Sequence, residues 1–74
     1  MLSTPTPFMA AETSSHATQE QEATALFNKG VKLDHLHRYD EALAAYNELI
    51  TRFGNSQNLT LQQIVAKARH NLSL

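Results

Sequence analysis

Arg38-Tyr39-Asp40-Glu41-Ala42-Leu43-Ala44-Ala45-Tyr46-Asn47-Glu48-Leu49-Ile50-Thr51-Arg52-Phe53 is the stretch whose periodicity decides the fold. Tyr39, Ala42, Leu43, Tyr46, Leu49, Ile50 and Phe53 recur at the i, i+3, i+4, i+7 spacing of one helix face. Glu41, Ala44, Asn47, Glu48, Thr51 and Arg52 fall on the other sides. Such a stripe leaves water only against a neighbour, so this helix (helix B, about 39–53) requires partners. The flanking sequence supplies two.

Upstream, helix A is expected over about 19–36. Thr18-Gln19-Glu20-Gln21 fits a capping box that would start it. Leu26, Gly30 and Leu33 share a narrow arc, and Gly30 leaves room for a neighbouring helix to approach. Close packing is the physical reason to keep a glycine that costs about 1 kcal/mol relative to alanine in a helix interior. Phe27 and Val31 form a second strip with Thr24, Asn28 and His35. Two strips on one helix imply two neighbours, or one neighbour and a ligand. The join at His37-Arg38 is short enough to require an antiparallel pair. Residues 1–18 carry seven Ser and Thr, two Thr-Pro pairs and no apolar period, and are expected to form a disordered tail.

Downstream, Gly54 is expected at C′ of helix B in the left-handed conformation. Asn55-Ser56-Gln57-Asn58 reads as a polar loop. Helix C follows over about 58–73, starting near Asn58 or at Thr60, whose Thr60-Leu61-Gln62-Gln63 also fits a capping box. Its apolar face is Leu61, Ile64, Val65, Ala68 and Leu72. The sequence therefore predicts an all-α fold, an antiparallel helix-turn-helix with a third helix.

Composition narrows the function classes. At 74 residues there is room for one small domain, and the absence of cysteine removes disulfides and disfavours a zinc site. A formal net charge of −1 leaves no basic surface to release counterions from a nucleic acid or an anionic membrane. No apolar run approaches the roughly 20 residues of a membrane span, and the N-terminus lacks the basic and apolar regions of a signal peptide. A cytoplasmic protein is the expectation.

Leu26-x3-Gly30-x2-Leu33 followed by Tyr39-x2-Ala42-x3-Tyr46 resembles one tetratricopeptide repeat, over residues 23–56. Those six residues stand at the family's large, small and aromatic positions. Ala68–Leu74 is similar to Ala25–Val31, which makes helix C the first helix of a second copy. The spacing from Gly30 to Ser73 is 43 residues, against about 34 in the usual repeat, so the resemblance is to a long-repeat variant. The family favours glycine where His37 stands, so the A–B turn is expected to be strained.

The resemblance implies a short right-handed α-solenoid whose first helices line a groove for a protein or peptide. Thr24, Phe27, Asn28, Val31 and His35 are the expected partner-binding residues. Phe27 and Val31 occupy positions that a carboxylate-clamping groove would fill with lysine and asparagine, so that mode is not expected. A competing expectation is structural. With the second copy cut short, Leu61, Leu72 and Leu74 would lack a covering helix and would pair a homodimer through helix C, or mark a terminal fragment of a longer array.

No enzyme chemistry emerges. His35 and His37 point to opposite sides of a helix, and with Asp34 and Asp40 they read as solvated residues flanking a turn rather than a metal site. Tyr39 and Tyr46 read as core packing. No metal and no cofactor is expected.

Overall fold

The computed structural model describes residues 7–74, with side chains from Thr18 onward. Three α-helices account for nearly all of it: α1 (Pro7–His35), α2 (Tyr39–Phe53) and α3 (Leu59–Leu72). The described residues contain no strand. Each helix packs against both others.

Directions follow from which ends meet. Glu22, midway along α1, reaches Arg52 late in α2 (2.5 Å), whereas Leu33, near the end of α1, shares a cleft with Glu41 near the start of α2. α1 and α2 are therefore antiparallel. Tyr46 and Tyr39 of α2 meet Asn71 and Leu72 of α3, so that pair is antiparallel too. Glu20 bonds Asn58 while Asp34 lies beside Leu74, which makes α1 and α3 parallel.

Helix α2 keeps the bounds its periodicity predicts. Helix α1 starts at Pro7, earlier than residue 19. Proline is suited to a first helical position, and no glycine or proline follows until Gly30. Thr18 consequently lies within the helix and caps nothing. Of the expected tail, residues 1–6 lie outside the described residues.

The α1–α2 turn closes by paired hydrogen bonds. Arg38 N–H donates to the Leu33 carbonyl at 2.8 Å and His37 N–H to the Asp34 carbonyl at 2.9 Å. This is the Schellman pattern, which requires a left-handed residue at C′. His37 occupies it with φ of 64°, a conformation that costs an L-residue about 1–2 kcal/mol. The expected strain at His37 is present. Gly54, by contrast, is right-handed (φ −63°, ψ −24°), which corrects the left-handed expectation. Its role is steric, since a Cβ there would press on the Ile50 carbonyl oxygen.

The core is one cluster of Ala23, Ala42, Tyr46, Leu49, Phe53, Leu61, Val65 and Ala68. Tyr46 is its centre. Its ring lies flat against Gly30, where an added Cβ would stand 2.5–2.9 Å from three ring carbons. The ring centroid is 5.8 Å from that of Phe27, and its hydroxyl accepts a hydrogen bond from Asn71 Nδ2 at 3.0 Å. One side chain thus links all three helices. Tyr39 does not join this core: it is 53% exposed, its hydroxyl 2.6 Å from His37 Nδ1. Leu43 is 43% exposed, while Ala45 is buried in its stead. The buried stripe of α2 is therefore rotated toward α1 from the one read in the sequence.

Candidate functional site

A shallow, open cleft lies between α1 and the start of α3. Glu20, Gln21, Thr24, Ala25 and Asn28 form one α1 stripe at helical spacing, and Thr60 closes the opposite wall. The cleft measures about 480 Å³.

Asn58 sets the position of that opposite wall. Its extended backbone makes it the N-cap of α3, and its Oδ1 accepts the Leu61 N–H at 3.1 Å. Its Nδ2 donates to Glu20 Oε2 at 2.9 Å. The cap and the tie to α1 come from the same amide, so α3 begins at a fixed place beside α1. Thr60, the alternative capping residue, sits in the first turn and faces the cleft instead.

The lining is rich in groups that both donate and accept hydrogen bonds: the Gln21 and Asn28 amides and the Thr24 and Thr60 hydroxyls. Glu20 is its one charged side chain. This inventory suits a peptide main chain, which offers N–H and C=O groups in alternation.

The residues expected to bind a partner separate into three groups. Thr24 and Asn28 are exposed and line the cleft. Phe27 and Val31 are half-buried and pack against the core, Phe27 on Tyr46. Their strip is the neighbour-facing one. His35 is exposed at the end of α1 and lies outside the cleft lining. Glu20, Gln21 and Ala25 were within reach of the sequence, since they continue the Thr24 stripe by single turns. Thr60 was not, because only the folded α3 brings it there.

The expected self-association residues separate as well. Leu61 is wholly buried within the monomer, against α1 and α2, and is corrected to a core residue. Leu72 is half-buried against the core, and Leu74 is 90% exposed. A second cavity of about 340 Å³ lies at this end of the bundle, with Tyr39, Leu43, Leu72 and Leu74 among its walls and Tyr46 beneath.

Among the described residues no three His, Asp or Glu side chains group as metal ligands, and no helix is long and apolar enough to cross a membrane. Comparison with protein-family models, with curated proteins and with solved structures returned no match.

Proposed function

We propose that the chain is a non-enzymatic interaction module, a tetratricopeptide-like helical repeat, that holds an extended peptide segment of a partner protein in the α1–α3 cleft. The carrying observation is the cleft itself: two parallel helices presenting amide and hydroxyl groups from Gln21, Thr24, Asn28 and Thr60 along one shallow, open cleft. Glu20 as the one charged lining residue favours a neutral or basic segment over an acidic one. The repeat reading is supported by the size-limited contact of Gly30 with Tyr46 and by buried Ala42. In this reading the protein is cytoplasmic, with no nucleic-acid or membrane partner.

The test is selection of binders from a displayed random-peptide library at low micromolar protein, followed by titration of Thr24→Arg and Asn28→Arg. Both positions are exposed, so the variants retain the fold. Selected neutral or basic peptides should lose at least about tenfold in affinity to each variant. Peptides that bind both variants unchanged, or a library that yields no binder, would overturn the reading. A second reading is self-association, favoured by the apolar side chains exposed where α2 begins and α3 ends.

A further inference from the structure

One edge of α2, outside the cleft lining, carries an apolar stripe with a charge at each end. Tyr39, Leu43 and Ile50 follow one another at four and seven residues, which places them on one edge of α2. The first two are exposed and Ile50 is half-buried. At the start of α2, Leu72 and Leu74 extend the stripe across the second cavity. Tyr39, Leu43 and Leu74 are among the most exposed large apolar side chains of the protein and stand together around this cavity, a contiguous apolar surface rather than scattered single residues.

Its two ends differ in sign. At the α2 N-terminus the cavity is walled by Asp34, and Asp40 stands in the first turn. Arg38 at that end is already paired with Glu41. At the α2 C-terminus the Arg69 guanidinium lies beside Gly54, its Nη2 3.5 Å from where a glycine Cβ would stand. A surface that is acidic at one end and basic at the other is complementary to itself when turned through 180°.

Resting on the self-association reading, we infer that a second copy of this chain docks on the α2 edge in antiparallel register, related by a two-fold axis across the middle of α2. Tyr39 of one copy then meets Ile50 of the other, and Asp40 faces the partner's Arg69. The Leu43 side chains are covered near the axis. The stripe and its cavity share no residue with the α1–α3 cleft, so each copy keeps its peptide site open.

Analytical ultracentrifugation of the full chain from about 10 µM to 1 mM tests this, with helicity checked by circular dichroism. Wild type should sediment as a concentration-dependent dimer that weakens as salt rises. Leu43→Glu and, separately, Leu74→Glu should weaken dimerisation by at least about tenfold, and both sites are exposed enough to leave helicity unchanged. Asp40→Arg should weaken it and Asp40→Arg/Arg69→Asp should restore it, while Asn28→Arg should have no effect. A monomer at every concentration would overturn both the inference and the self-association reading. A dimer insensitive to Leu43→Glu, or one lost in Asn28→Arg, would overturn the α2 edge alone. A double charge swap weaker than the single one would overturn the antiparallel register.

Discussion

Replacing Gly30 with alanine should destabilise this protein although alanine is the better helix former. In an isolated helix the exchange would gain about 1 kcal/mol. Here the new Cβ would stand 2.5, 2.7 and 2.9 Å from Cε1, Cζ and Cδ1 of Tyr46. The ring cannot step aside cheaply. It is 1% exposed, it packs against Phe27, and its hydroxyl is held by Asn71. Inserting a methyl group into such a site costs about 1–3 kcal/mol, and three sub-van-der-Waals contacts place this case near the upper end. The net effect should be about 1–2 kcal/mol of lost stability, a fall in Tm of roughly 4–16 °C for a domain of this size. The same exchange made in a Tyr46→Leu background should change sign and stabilise by about 1 kcal/mol, because the ring is gone and the propensity gain remains. Urea titrations of the four proteins complete the cycle. If Gly30→Ala stabilises the parent protein, the close crossing of α1 and α2 at this point is wrong.

Three further substitutions probe separate joints. Ala42→Leu should cost about 1–3 kcal/mol by urea titration, because Ala42 is buried in the core and the extra volume has nowhere to go. Asn58→Ala should cost about 1–2 kcal/mol through loss of the α3 cap, with Thr60→Ala close to neutral; equal losses from both would remove Asn58 as the cap. His37→Gly should raise stability by about 0.5–1 kcal/mol, the left-handed penalty of His37 less the chain entropy of glycine, and a lower Tm would contradict the strained turn.

Where the sequence was legible, local chemistry and a single helix period carried the information. The bounds of α2 follow from its stripe, and the Gly30 contact follows from a small residue on an otherwise large-residue arc. The strained turn at His37 was legible only by resemblance, since nothing local requires a histidine to adopt a positive φ. What the period did not resolve was which shoulder of each stripe the third helix covers. Tyr39 and Leu43 share the α2 stripe with Tyr46, yet α3 covers Tyr46 and leaves them in water. An incomplete second repeat would leave Leu61 uncovered, whereas α1 and α2 already enclose it. The cleft was half visible for the same reason: Thr24 and Asn28 are neighbours on one helix, while Thr60 joins them only through the Asn58 bond to Glu20.

Chemical-shift mapping on the ¹⁵N-labelled chain, titrated with a library-selected neutral or basic peptide at concentrations where the protein is monomeric, asks where a ligand sits. The α1–α3 cleft predicts that the amides of Gln21, Thr24, Asn28 and Thr60 move in saturable fashion while those of Leu43 and Leu74 stay in place. Shifts confined to Tyr39, Leu43 and Leu74, with the cleft amides unmoved, would contradict it.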